Sequence, residues 1–237
     1  MLKLNKKQNW KKEYRTNVVS LERNETILEG VFVKDAMTPI SRGIKRFCDM
    51  LLSMMLLIIC APAFLIIYFV VKAEDGESAI YSQWRIGKYG RPFKIYKFRT
   101  MHKNAESVGP QLSVSLDSES SDDRLTKVGR FLRTYHLDEL PQLWNVLKGD
   151  MSFVGYRPER KFFIDQIMEH DKRYVYLYQS RPGVTSYATL YNGYTDTMEK
   201  MLRRLEYDLY YLENRSLLLD IRIMWLTLWG VLSGRKF

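Results

Sequence analysis

From Met50 to Val71 the chain carries no charged side chain. A helix of roughly 20 apolar residues is long enough to cross the hydrocarbon core of a bilayer. Pro62 stands near the middle of this run. A proline there removes one helix hydrogen bond and clashes with the preceding turn, so a kink is expected. Both flanks are basic: Arg42, Lys45 and Arg46 come before the run, and Lys72, Arg85, Lys88 and Arg91 follow it. The positive-inside rule therefore assigns no orientation to a straight span. A re-entrant helix, break and helix, with both ends on one face, removes that conflict. Taken alone, the residues lean slightly toward an ordinary transmembrane helix.

The remainder reads as one modest domain with attachments. Residues 1–40 form a polar extension with Lys3, Lys6, Lys7 and Lys11 near its front. No apolar core follows Met1, so no secretory signal is expected there. Within the extension, LEGVFVKD over Leu28–Asp35 reads as a strand. Residues 41–72 hold the membrane helix, and residues 73–237 the main domain. Cys48 and Cys60 have no metal or redox spacing, and no disulfide framework is implied.

A formal charge of +10 asks for an acidic partner: nucleic acid, anionic lipid or a phosphorylated substrate. Over Ile80–Met101, basic and aromatic residues alternate around KYGRP, which has turn chemistry and predicts two short strands. That surface suits single-stranded nucleic acid or lipid headgroups. No recognised nucleic-acid module is present, so nucleic acid is not expected as a partner. A flexible, Ser-rich loop is expected over His102–Asp123. Helices are expected after Pro158 and over Asp196–Ser216, with turn-rich chain over Arg181–Thr195 between them. His170 reads as a surface residue. The closing stretch has twelve uncharged residues from Ile223 to Gly234, too few to span. Its two tryptophans suit a membrane interface, and a buried core helix is the equal alternative.

The chemistry concentrates between Asp122 and Pro158, DDRLTKVGRFLRTYHLDELPQLWNVLKGDMSFVGYRP. Asp138 and Glu139 lie just ahead of Pro141. Leu140, Leu143, Trp144 and Leu147 then recur at helical spacing, with Gly149 as a stop. Arg124, Arg130, Arg133 and Arg157 flank the acid pair. A helix N-terminus with guanidinium groups around it suits a phosphate. An Asp ahead of a helix is most often a cap. Carboxylates that face a phosphate need a stronger reason: a bound divalent cation, or a carboxylate that itself attacks phosphorus.

The string LTKVGRFLRTYHLDELPQLWNVLKGDMSFVGYRP resembles the core motif of the bacterial sugar transferases, the monotopic phosphoglycosyl transferases. KFRTM at Lys97–Met101 and RPGVTSYA at Arg181–Ala188 resemble its other landmarks in the same order. The likeness covers Ser41 to the C-terminus. Three departures stand out: Ala61 where a serine often precedes the proline, Tyr156 where GPRP is usual, and the chain after Ser186, where Trp-Ala-Gln is common.

The resemblance implies a mainly α fold with a small β element, held on the membrane monotopically by a re-entrant kinked helix and interfacial amphipathic helices. It implies that a sugar-1-phosphate passes from a UDP-sugar to a polyprenyl (undecaprenyl) phosphate with release of UMP, at the cytoplasmic face of the bacterial inner membrane. This is an initiating step of surface polysaccharide or glycoconjugate assembly. Asp138 is the implied nucleophile of a ping-pong reaction through an aspartyl phospho-sugar. Mg2+ is the implied cofactor, held by Glu139 with Asp138 touching it. Lys97, Arg99, Arg133, Arg157 and Pro158 are the expected substrate-binding residues. His136 takes no catalytic role. Membrane lipid is a further expected partner, and a homo-oligomer stays open. Direct displacement is the competing mechanism, and a non-catalytic basic scaffold the competing class.

Overall fold

The computed structural model describes residues 33–103, 105, 124–193 and 195–233. Among the described residues the chain is mainly helical, with two small two-stranded sheets, as the α-rich, small-β part of the expected fold class requires. The basic front of the extension, residues 28–32 of the expected strand and most of the Ser-rich loop fall outside the described residues.

Helix α1 spans Pro39–Ile59, opened by Thr38, whose side chain accepts the Ser41 N–H. Helix α2, Ala61–Asp75, follows at once with Pro62 in its first turn, where a missing N–H costs little. The two helices are bent by 64°. No single helix among the described residues is long and apolar enough to cross a membrane. The break is the kink expected of Pro62. The Cys60 N–H bonds to Leu56 O, and the Cys60 carbonyl accepts the Phe64 N–H, both at 2.8 Å. Those backbone groups are thus satisfied with Ala61 in place of a hydroxyl-bearing residue.

One side of α1 is polar and docks on the domain. Arg46 donates to the carbonyls of Val146 and Leu147 at 2.6 and 2.7 Å. Buried Asp49 accepts the Ser152 hydroxyl at 2.7 Å and the Phe153 N–H at 3.2 Å. Lys45 reaches Asp220 at 2.6 Å. On the other side, Phe47, Leu51, Met55 and Ile58 are exposed, as are Leu65 and Phe69 of α2.

Strands β1, Ile80–Ile86, and β2, Pro92–Phe98, pair antiparallel, with Trp84 opposite Lys94. The KYGRP turn uses left-handed backbone at Tyr89 and Gly90, so the expected hairpin forms. Helix α3, Lys127–Thr134, is capped by Thr126. At Gly129 an added Cβ would lie 2.1 Å from the Thr100 carbonyl oxygen, so only glycine lets α3 approach the end of β2.

Helix α4 spans Gln142–Lys148 and stops at left-handed Gly149, as expected. Its buried face differs from the predicted apolar stripe. Leu143 is buried, but Trp144 is 53% exposed, and Asn145 points inward. The reason is polar: Asn145 donates to Lys94 O at 2.7 Å and accepts the Tyr96 N–H at 3.1 Å. Two bonds to β2 set the rotation of the helix ahead of its hydrophobic spacing.

Strands β3, Ser152–Val154, and β4, Gly183–Thr185, pair in parallel. The expected helices after Pro158 are α5, Lys161–His170, and a 3-10 segment, Lys172–Gln179. His170 is exposed, as expected. The turn-rich stretch instead holds β4 and a short helix α6, Tyr187–Asn192, because Ser186 caps it through the Thr189 N–H. Helix α7 spans Met198–Asn214. Ile164, Leu177, Leu205, Leu209 and Leu212 form the main core between α5, the 3-10 segment and α7.

The end of the N-terminal extension joins this core. Val33 packs into it, and Asp35 pairs with Arg215 in a buried contact, Nε at 2.6 Å from Oδ1. Val33–Asp35 lie outside any strand, contrary to the strand reading. Helix α8, Leu217–Leu232, divides the two readings of the closing stretch between its faces. Ile223 and Gly230 are buried, while Trp225 and Trp229 are 64% and 63% exposed.

Candidate active site

Left-handed backbone at His136 turns the chain into a single 3-10 turn, Leu137–Glu139, directly ahead of α4. This turn sets Asp138 and Glu139 at one end of a cavity of about 720 Å3. Lys97 and Arg99 reach it from the end of β2, Arg133 from α3 and Arg157 from the segment after β3. Six of the seven predicted site residues thus line one cavity. Pro158 is buried and lines a smaller adjoining pocket with Lys97, Glu139 and Arg157. Arg124 lines the large cavity, whereas Arg130 is exposed on α3.

The two acids differ in how readily they ionise. Asp138 is 7% exposed, and burial pushes its carboxyl up to about 6. Lys97 opposes that rise, and the neighbouring Glu139 adds to it. At neutral pH Asp138 is therefore mainly ionised and poorly solvated, a combination that favours a nucleophile. Burial also acts to raise Glu139, but Lys97 and Arg157 outweigh it and hold the carboxyl at about 2. Lys97 Nζ lies 2.5 Å from Glu139 Oε1. Arg133 Nε donates to Thr100 Oγ1 at 3.1 Å, which orients its guanidinium beside Asp138. Arg99 Nε donates to Ser78 O at 2.9 Å.

Among the described residues, no group of three or more His, Cys, Asp or Glu is placed to hold a metal ion. The donor set still fits Mg2+, which commonly takes one or two carboxylates and completes its shell with water and substrate phosphates. Asp138 and Glu139 are the two carboxylates in reach, and the Lys97 ammonium occupies one oxygen of Glu139.

Sequence reasoning missed a second charged group in the cavity lining, the wall beyond Arg157. Glu159 lies 3.4 Å from Arg157 Nε and 3.2 Å from Arg204 Nη1. Burial acts to raise Glu159, yet Arg157, Arg204 and Arg85 hold it below the usual carboxylate range. Arg85 comes from β1 and Arg204 from α7. Behind them Asp208, pushed up to about 7 by burial, accepts the Arg157 backbone N–H. The available signal was the four-residue spacing of Arg204 and Asp208, which shares a helix face with Leu205 and Leu212.

Tyr156 fills the position where the related motif has proline. It is fully buried, and its carbonyl accepts the Gly183 N–H at 2.9 Å, extending the β3–β4 ladder to the residue before Arg157.

The family model for bacterial sugar transferases matches residues 40–234. Over 197 residues the chain is 38% identical to a UDP-N-acetylgalactosamine-undecaprenyl-phosphate N-acetylgalactosaminephosphotransferase of Aeromonas hydrophila, covering 83% of this chain and 45% of that protein. It is 40% identical over 187 residues to a UDP-glucose:undecaprenyl-phosphate glucose-1-phosphate transferase of Klebsiella pneumoniae, covering 77% and 39%. It is 36% identical over 210 residues to the exopolysaccharide production protein ExoY of Sinorhizobium fredii, covering 84% and 90%. The chain thus spans less than half the length of the first two relatives.

Proposed function

The chain belongs to the bacterial sugar transferase family, and from its site we propose that it moves a sugar-1-phosphate from a UDP-sugar to undecaprenyl phosphate. The observation that carries this reading is the buried, ionisable Asp138 beside Glu139, with Lys97, Arg133 and Arg157 around one cavity.

In the first half-reaction an Asp138 oxygen forms a bond to the β-phosphorus of the donor. The bond from that phosphorus to the bridging oxygen breaks, and UMP leaves with the electron pair. The product is a phospho-sugar held as a mixed anhydride on Asp138. In the second, a phosphate oxygen of the polyprenyl acceptor attacks the same phosphorus and Asp138 leaves as a free carboxylate. Arg133 and Arg157 hold phosphate oxygens and offset their charge as the anionic nucleophile approaches. Glu139, with Asp138 beside it, would hold Mg2+, which supplies charge neutralisation to the phosphates. Arg99 lines the cavity, and Pro158 lines the smaller pocket that adjoins it.

The acceptor is a lipid, and the surface suits one. A helix pair bent by 64° suits a re-entrant arrangement, with both ends on one side of the membrane, better than a straight span. Their exposed apolar residues, with those of α8, form the face we assign to the membrane. The docked polar side of α1 keeps the dyad beside that face, on the cytoplasmic side of the inner membrane.

Purified protein in nanodiscs, given undecaprenyl phosphate, Mg2+ and a panel of UDP-sugars, should release UMP from one or two of them. Asp138→Asn should abolish release. Radiolabelled sugar phosphate should remain on the wild-type protein before acceptor is added. Turnover without trapped label would favour direct displacement, and no release from any sugar would favour a non-catalytic scaffold.

A further inference from the structure

The far wall of the cavity is built for a ligand that the transfer chemistry alone does not explain. Arg85, Glu159, Thr195 and Arg204 all line it, from four separate segments of the chain. Arg204 and Thr195 are 9% and 8% exposed. Glu159 is fixed between Arg157 and Arg204. Yet Arg85 Nε, Arg204 Nε and Thr195 Oγ1 are buried without a hydrogen-bond partner. Buried polar atoms of a folded protein are nearly always satisfied, so three in the lining of one cavity point to an outside partner.

The chemistry of the wall narrows that partner. It offers guanidinium donors, a hydroxyl that both donates and accepts, and a firmly ionised carboxylate that accepts. A phosphate would meet Glu159 as a like charge. A neutral polyol avoids that repulsion and can both donate to the carboxylate and accept from the guanidinium groups. The position agrees: Arg157 acts on Glu139 at the dyad and contacts Glu159 on the wall, so the wall lies one side chain beyond the reacting phosphorus. Two relatives are named for different sugars, N-acetylgalactosamine and glucose, on the same nucleotide. Residues that tell sugars apart should therefore lie outside the shared motif. Thr195 closes the turn-rich stretch that begins at Arg181, outside the shared core motif.

We propose that Arg85, Glu159, Thr195 and Arg204 form the subsite that reads the hydroxyl pattern of the donor's hexose, with Thr195 as a specificity-determining residue. This rests on the phosphoglycosyl transfer proposed above.

The test is the ratio of kcat/KM values for UMP release from UDP-glucose, UDP-galactose and their N-acetyl counterparts. Wild type, Thr195→Val, Thr195→Ser and Arg85→Gln would be compared as full chains in nanodiscs. Thr195→Val and Arg85→Gln should each change the preference between the best sugar and its epimer by about three- to tenfold, the range of one neutral hydrogen bond. Thr195→Ser should restore the wild-type preference, and inhibition by UMP should stay unchanged throughout. Equal loss for every sugar at constant preference would make the wall structural and overturn the proposal. Weaker inhibition by UMP in the variants would assign the wall to the nucleotide and overturn it too. Wild-type protein that releases no UMP from any sugar would defeat the transfer reading itself, and the subsite with it.

Discussion

Asp138 and Asp208 are both aspartates that burial raises, to about 6 and about 7, and each has a glutamate neighbour that basic groups hold down. They differ in what they face. Asp138 lines the cavity beside Lys97 and Arg133. Asp208 lies behind it, 3% exposed, accepting a backbone N–H from Arg157 while its Oδ1 has no hydrogen-bond partner. A perturbed acid is a functional candidate only where a substrate can reach it. In the proposed reaction burial poises Asp138 for attack, whereas the same burial makes Asp208 a prop for the Arg157 backbone.

Exchanging each acid for its amide should separate these roles. Asp138→Asn removes the proposed nucleophile, and UMP release should fall at least about a thousandfold with the fold intact. Asp208→Asn keeps an oxygen for the Arg157 N–H, and release should change by less than about tenfold. Comparable losses in both variants, measured on protein with an unchanged melting profile, would erase the distinction. Glu139→Gln comes next in size. It should lower release by about a hundredfold and raise the Mg2+ concentration needed for half-maximal rate, the mark of a lost carboxylate ligand. A rate loss with unchanged Mg2+ dependence would move Glu139 from metal holder to a purely electrostatic neighbour.

The contrast between the two aspartates also marks what could be read from the chain. Asp138, Glu139, Arg133 and Arg157 are close in sequence, so one motif carries them, and Lys97 and Arg99 sit in a second short block. The kink at Pro62, the KYGRP hairpin and the Gly149 stop are likewise local signals that depend on one or two residues. Asp208 and Arg204 lie on a helix that the sequence marks only by its spacing, and their place at and behind the cavity depends on a long-range contact with Glu159. Trp144 follows the same rule in reverse. Its spacing predicts burial, but the two bonds of Asn145 to β2 rotate it outward. The pairing of Asp35 with Arg215 and the docking of Arg46 on α4 are also long-range contacts between polar groups, for which sequence periodicity has no signature.

The smallest expected effect is on stability, and it tests whether Asp208 is held neutral by the fold. Its carboxyl moves from the ordinary 3.8 to about 7 on burial, with Arg204 opposing and Glu159 reinforcing the rise. Between those values the folded protein keeps a proton that the unfolded chain has lost. Stability should therefore fall as pH rises from about 4 to about 7, by an amount on the order of a few kcal/mol, and level off above. Asp138 contributes in the same direction over a narrower window, up to about 6. Melting temperatures of Mg2+-free protein in detergent at pH 5 and pH 7.5 would measure the sum. Asp208→Asn should flatten most of the difference and raise the melting temperature at pH 7.5, since the amide needs no proton to stay neutral. Asp138→Asn should flatten the smaller part. If both amide variants keep the wild-type slope, the two carboxyls are not raised in the folded protein. The cavity acid and its buried counterpart would then carry the same charge, and only access to the cavity would distinguish them.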